Sequence, residues 1–241
     1  MNLADFKNSL TRTYPYRIEL HAHTSPASAC GRATPEEVIE AYKSVGFDGI
    51  VIDNHFIFQT DGTGKREYID RYLDDFYRAT ACGKKLGLKV YLGAEIRFTE
   101  NSNDYLVFGV NRDLLEEIYD LLPYGLKNFR EKFFMPESLL VQAHPRRNGM
   151  EEVDPSLLDG VEIFNMHPNH NSRNGMTSAA AKAEGFSVVT AGSDFHHPNQ
   201  GHEGLSALRA KSLPDDSFGL AALIKSGDYL LELAGERIIL P

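Results

Sequence analysis

The sequence predicts an α/β fold in a single domain, built round a parallel sheet closed into a distorted (βα)7 TIM-like barrel. Two observations drawn from the residues point to the class. Short apolar, β-branched runs alternate with helical stretches along the chain, the order that produces strand–helix–strand crossovers. Those runs number about seven, which suits a closed or distorted barrel, and such barrels commonly use a chain of 241 residues as one domain. A third observation concerns placement: His, Asp and Glu recur just after the strands, where barrels of this kind build their sites.

Residues 1–15 show no clear period and read as a lead-in. A strand at 16–20 ends in His21-Ala22-His23. Residues two apart on an extended chain project to the same side, so both imidazoles can aim at one point. A pair of surface histidines on a loop would look the same in isolation. The small-residue loop 24–33 leads to a helix start: Thr34 as N-cap, Pro35 at the first helical position and Glu37 completing a capping box. Val38, Ile39, Tyr42 and Val45 form its apolar face, and Gly46 ends it. Gly49-Ile-Val-Ile52 is a buried-strand signature, followed by Asp53-Asn54-His55 and a polar loop at 56–64. A long helix covers 66–86, with Tyr68, Tyr72, Phe76 and Ala79 at helical spacing and Cys82 as a core thiol. Strands follow at 89–98, where Glu95 and Arg97 share one side, and at 105–110. A helix at 112–122 precedes an ambiguous run at 123–136. A strand at 139–143 is followed at once by His144-Pro145-Arg146-Arg147. After a helix start at Asp154-Pro155, a strand at 160–165 carries Glu162, and the loop 166–175 carries His167 and His170. A helix at 179–184 and a strand at 186–190 lead to Gly192-Ser-Asp194-Phe-His196-His197. The tail holds a helix near 218–225 and an apolar run near 229–233.

Composition sets bounds. The formal net charge of -9 argues against a long nucleic-acid footprint, which needs a basic face. It says little against a small anionic substrate, because bound cations reverse the local field. The hydrophobic share of 42% supplies a sizeable core, with no apolar span long enough for a membrane helix. Residues 1–7 lack the apolar core of a signal peptide. Two cysteines, Cys30 and Cys82, make no disulfide framework. Together these lead us to expect a soluble, cytoplasmic protein without a membrane partner.

His21, His23, His55, His144, Asp194 and His196 all follow strands, and Glu95 lies near the end of one. Each alone is what a core or surface residue also looks like. Jointly they point to a shared metal site, and His, Asp and Glu without a thiolate cluster suit zinc, manganese or iron.

The motifs His21-Ala-His23-Thr24, Gly49-Ile-Val-Ile…His55, Gly93-Ala-Glu95, His144-Pro145, Gly160-Val-Glu162…Asn165 and Gly192-Ser-Asp194-Phe-His196 occur in order over nearly the whole chain. In this the sequence resembles the PHP family, named for its polymerase and histidinol phosphatase members. The resemblance implies two or three divalent metal ions on the C-terminal face of a distorted (βα)7 barrel. It implies that His21, His23, Glu95 and Asp194 hold one metal, that Glu95 bridges to a second bound by His144, and that His55 and His196 serve a third. There are departures. Asp53-Asn54-His55 stands where Thr-Asp-His is common. The 28–31 stretch offers Cys30 in place of the usual Asp or His. No histidine lies between Glu95 and His144, so water, Asp104 or substrate would complete the second metal's shell. Whether Cys30, Asp53 or Asp104 is a ligand stays open at this point.

The chemistry expected is hydrolysis of a small phosphomonoester by a metal-bridging hydroxide. Arg97, Arg146 and Arg147 are candidates to grip the phosphate, with Arg146 and Asp194 as catalytic groups. Proton donation to the leaving oxygen could fall to Asp194, His196 or water. Glu162 and Asn165 support the site, and His167, His170, His197 and His202 face solvent or the pocket rim. Two alternatives stand beside this: a nuclease trimming short nucleotides, and a degenerate barrel that binds metal or ligand without turnover.

Overall fold

The computed structural model describes residues 2–132, 135–198, 203–235 and 237–241. His202, with residues 199–201, lies outside them, as do 133 and 134 of the run that the sequence leaves ambiguous. In chain order the elements are α1 (Leu3–Thr13), β1 (Tyr16–Glu19), α2 (Pro35–Ser44), β2 (Gly49–Ile52), β3 (His55–Ile57), α3 (Lys65–Leu86), β4 (Lys89–Arg97), β5 (Asp104–Phe108), α4 (Arg112–Leu121), α5 (Gly125–Lys132), β6 (Leu139–Gln142), β7 (Gly160–Asn165), α6 (Asn174–Glu184), β8 (Val189–Gly192), β9 (Ser206–Ala210), α7 (Ser217–Ser226), β10 (Leu230–Leu233) and β11 (Arg237–Ile239). Short 3-10 turns occupy Leu122–Tyr124 and Pro155–Leu157.

The sheet has eleven strands among the described residues, ordered β11-β10-β9-β1-β2-β4-β5-β6-β7-β8, with β3 beside β4. The expected parallel pattern holds for β1–β2, β2–β4, β6–β7 and β7–β8. It fails at β5, which runs antiparallel to both β4 and β6. The reason is local: residues 98–103 are too short a link for a crossover and suit a hairpin. β9, β10 and β11 extend the other edge as an antiparallel meander. The sheet curls until the chain beyond β8 meets the chain beyond β1. There Ala22 and Phe195 form a parallel bridge, with His23 N–H donating to Phe195 O at 2.9 Å and Phe195 N–H to His21 O at 3.2 Å.

Sequence and local structure agree at the helix ends. Thr34 and Glu37 make the reciprocal capping box. Gly87 takes the left-handed conformation that stops α3. β2 and β7 fall on the expected residues. α1, β3, α5, β9 and β11 are additions to the expected order. Cys82 is half-buried at the edge of the core rather than enclosed by it. The apolar core lies inside the curl (Ile18, Leu20, Val141, Leu208) and between sheet and helices, where Phe56, Tyr72 and Phe129 pack. No helix among the described residues is long and apolar enough to cross a membrane.

Candidate metal centre

The curl brings one end of β1, β4, β6, β7 and β8 to a common point. β2 and β3 are one line of chain broken at Asp53-Asn54, and both run parallel to β4. That break lets His55 pair in register with Glu95. Because β5 is antiparallel, its first residue, Asp104, lies at the same end, opposite Arg97.

All seven expected ligands meet here. Glu95 is central. Its Oε1 lies 3.1 Å from His144 Nε2 and 3.4 Å from His21 Nε2, and its Oε2 lies 2.9 Å from His55 Nδ1 and 3.3 Å from His23 Nε2. Asp194 Oδ1 is 3.5 Å from His21 Nε2, 3.4 Å from His23 Nε2 and 3.3 Å from His196 Nδ1. The ligand atoms form overlapping sets: His21, Glu95 and His144; His21, His23 and Asp194; His55, Glu95 and Asp104; and His23, Cys30, His55 and His196. Within each set they lie inside 4.8 Å of one another.

These groups fit divalent cations. His21, His23, Glu95, His144 and Asp194 are buried. Yet His21 Nε2, His23 Nε2, His55 Nδ1 and Glu95 Oε2 have no hydrogen-bond partner among the described residues. Buried polar atoms are nearly always paired, so ligand atoms converging unpartnered in the interior fit an ion between them.

A supporting layer fixes the rings. His21 Nδ1 lies 2.9 Å from Glu162 Oε1. A carboxylate accepts, so Nδ1 carries a proton and Nε2 is the atom turned inward, able to offer its lone pair once a cation displaces a proton from it. Glu162 Oε2 accepts from His144 N–H at 2.9 Å and from Asn165 Nδ2 at 3.0 Å. Asn165 also donates to Asp194 Oδ2 at 3.1 Å. Ser28 Oγ accepts from His55 N–H at 2.8 Å and lies 3.2 Å from His23 Nδ1. Tyr72 on α3 donates to Gly93 O at 2.8 Å, and Tyr68 to His55 O at 3.2 Å, so the long helix holds β3 against β4.

Asp53 and Asn54 serve the backbone. Asp53 Oδ1 accepts from Ala22 N–H at 2.8 Å, and Asn54 Oδ1 accepts from Thr24 N–H at 2.7 Å. Burial pushes the Asp53 carboxyl well above its ordinary range. Neither belongs to a ligand set. Glu19, which sequence reasoning passed over, ties β1 to β8. Fully buried, it accepts from His21 N–H at 3.0 Å, Ser193 N–H at 2.9 Å, Ser193 Oγ at 2.5 Å and Tyr42 OH at 3.0 Å. A carboxylate one residue before an apolar–His–x–His run was the available signal. His144 and Asp194 take positive φ, 31° and 53°, a strained conformation for non-glycine residues that clusters at functional sites. Gly192 is required by crowding: a methyl there would lie 2.3 Å from His21 Cβ and 2.6 Å from Glu162 Oε1.

The three arginines separate. Arg97 makes a two-pronged pair with Asp104, at 2.7 and 2.8 Å, leaving Nη1 free of that pair. Arg147 donates to Asp194 Oδ2 at 2.5 Å and to Asn165 Oδ1 at 2.8 Å. Arg146 is not drawn into the cluster. Its side chain has no ion pair or hydrogen bond among the described residues, and it lines a separate cavity of about 260 Å³ with Gln142, Glu151 and Phe186. His167 stacks edge-on to His196 at 5.0 Å and beside His170 at 4.5 Å. His170 is exposed as expected, but His167 is buried against His196 instead of facing solvent or the rim.

A larger cavity, about 830 Å³, opens beside the centre. Cys30, His55 and Arg97 line it together with Ile57, Tyr68 and Arg71. Its size is that of a small-molecule site. Arg71, on the exposed face of α3, escaped the sequence reading because nothing in sequence links it to a ligand motif.

No family model and no curated protein sequence matches the chain. Solved structures do. A two-domain protein from Bacteroides vulgatus containing a predicted PHP-like metal-dependent phosphoesterase aligns with TM-score 0.62 at 14% identity, over 91% of this chain and 65% of its own. A candidate metal-dependent phosphoesterase from Bifidobacterium adolescentis aligns with TM-score 0.49 at 16% identity, over 86% of this chain and 96% of its own. An amidohydrolase from Chromobacterium violaceum with bound sulfate and no metal aligns with TM-score 0.45 at 14% identity, over 76% and 88%. The first of these likenesses is one of fold: this chain shares the α/β fold of a protein described as containing a predicted PHP-like phosphoesterase, and at that level the resemblance read from the motifs is borne out.

Proposed function

We propose that this chain is a metal-dependent phosphoesterase that hydrolyses small phosphomonoesters, built as a distorted seven-strand barrel closed at Ala22–Phe195. The observation that carries the reading is the set of buried, mutually facing, unpartnered ligand atoms on His21, His23, His55 and Glu95, beside a cavity lined by Arg97. Two to three divalent cations held there by His21, His23, His55, Glu95, His144, Asp194 and His196 would supply Lewis acidity, offsetting phosphoryl charge and acidifying water.

The chain's own groups do the rest. Glu162 orients His21 and anchors the His144 backbone. Arg97 spends Nε and Nη2 on Asp104 and offers Nη1 to a phosphate oxygen in the cavity. Arg71, exposed on the same cavity wall, adds a second cationic group beside that wall's Asp70 and Asp74. Arg147 positions Asp194 rather than gripping substrate. Burial alone would raise Asp194, but His21, His23, His196 and Arg147 outweigh it and hold the carboxyl well below its usual range. Asp194 therefore acts as a ligand and orienting carboxylate, not as the proton donor. Arg146 has no place in this mechanism. The altered Asp53-Asn54 pair holds the Ala22 and Thr24 backbone, which supports reading it as a structural change and favours the phosphoesterase over a degenerate barrel.

The test is release of inorganic phosphate from a panel of phosphomonoesters by the full chain, with manganese, with zinc and with chelator. We expect metal-dependent turnover, abolished by Glu95→Gln. Absence of turnover on every substrate, with metal shown to be bound, overturns the proposal.

A further inference from the structure

We propose that Cys30, with His55 and His196, forms a thiolate-containing cation site at the rim of the centre, selective for zinc-type ions over manganese or magnesium. This deepens the phosphoesterase reading and rests on it, because the site is the outer edge of the same centre.

The ligand atoms of Cys30, His55, His196 and His23 lie within 4.8 Å of one another. Cys30 is half-buried, in the loop between β1 and α2. That loop is tied down on both sides of the thiol. Before it, Ser28 Oγ accepts from His55 N–H at 2.8 Å. After it, Arg32 N–H donates to His196 O at 2.8 Å. The residues flanking Cys30 are thus bonded to the two histidines that would share an ion with it. The histidines are oriented as well. His196 Nδ1 lies 2.8 Å from the carbonyl oxygen of Asp194, which can only accept. The proton is therefore on Nδ1, and Nε2 keeps its lone pair. His23 is fully buried, and its Nε2 has no hydrogen-bond partner among the described residues.

His23 is shared with the set of His21 and Asp194, and His55 with that of Glu95 and Asp104, so Cys30 and His196 are the ligands that belong to the rim alone. The cavity of about 830 Å³ is lined by Cys30 and His55, so the rim set borders the space a substrate would fill. Thiolate favours zinc-like ions, whereas manganese and magnesium favour all-oxygen shells. Binding forms a metal–sulfur bond and releases the thiol proton to buffer.

The probe is cobalt(II), added to the chelator-treated full chain. Thiolate ligation gives a charge-transfer band in the near ultraviolet. We expect that band in the parent protein and in Cys82→Ser, and its loss in Cys30→Ser together with about one equivalent of bound zinc. A second measurement needs no variant: zinc should slow alkylation of Cys30 by iodoacetamide roughly tenfold or more, with Cys82 as internal reference. A cobalt-loaded parent protein without the band, a band unchanged in Cys30→Ser, or equal alkylation with and without zinc would each overturn the inference. The first of these leaves metal-dependent phosphate release standing. Failure of the chain to retain any cobalt sinks both readings.

Discussion

His21 shows how one side chain's chemistry is set by its neighbours. Burial alone would lower its pKa, but Glu162, Asp194 and Glu95 outweigh that and raise it well above the ordinary value. Glu95 does the same for His55 against its own burial. His23 goes the other way: burial, helped by His196, pushes it down to about 3. In the metal-free protein at neutral pH, His21 and His55 therefore hold an extra proton and His23 does not. A cation must displace those protons, so its apparent affinity rises with pH, and loading at pH 7 acidifies a weakly buffered solution. A pH-stat titration checks this; metal uptake with no proton release would contradict it. Glu162→Gln puts an amide donor toward groups that themselves donate, and we expect metal affinity to fall about 10–100-fold while the chain stays folded. Competition with a metallochromic chelator reads the change. At this scale the sequence was informative about residues that follow strands, since position after a strand is visible in the pattern. It was silent on Ser28 and Arg71, whose roles come from folding a loop and a helix face onto the centre. Asp104 was visible only as a candidate, because its place depends on the direction of β5.

The element that completes the centre is the join between the chain after β1 and the chain after β8. Glu19 makes that join from inside, collecting donors from both segments. In Glu19→Gln an NH2 group meets donors with nothing to accept from them. Stability should drop by about 1–3 kcal/mol in urea unfolding of the chelator-treated protein, and an unchanged midpoint would remove Glu19 from this role. Gly192→Ala acts on the same join by steric means. The added methyl must displace His21 or Glu162, so we expect phosphate release to be lost along with roughly 1–3 kcal/mol of stability. A fully active, fully stable variant would contradict the crowding. Strands and helices with strong periodicity were readable: α2 from its capping box, β2 from its β-branched run, α3 from its aromatic spacing. Direction was not, because apolar alternation is the same for a strand running either way. The short 98–103 link was the one available sign that β5 turns back. α1 went unread because none of its residues is buried, leaving no core-facing stripe to detect.

For the whole molecule, the candidate metal centre would also act as a fastener. It gathers Glu95, Asp194 and Asp104 with the five imidazoles of His21, His23, His55, His144 and His196, where strands from distant parts of the chain meet. Cations that bind only the folded state stabilise it by about 2.7 kcal/mol at a hundredfold excess over Kd. Chelation should lower the melting temperature by roughly 5 °C or more, reversibly on readdition of zinc or manganese. A melting curve indifferent to chelator would mean that the strands hold this geometry unaided. The overall α/β class was legible because strand–helix alternation runs the length of the chain. The curl and its antiparallel edge were not, because they depend on which strands pair across long separations. The most direct test of the central claim is the elemental analysis of the purified full chain after gel filtration, beside Glu95→Gln. We predict two to three equivalents of divalent metal per chain in the parent and a large loss in the variant. A folded parent protein carrying no stoichiometric metal after incubation with zinc or manganese would contradict it.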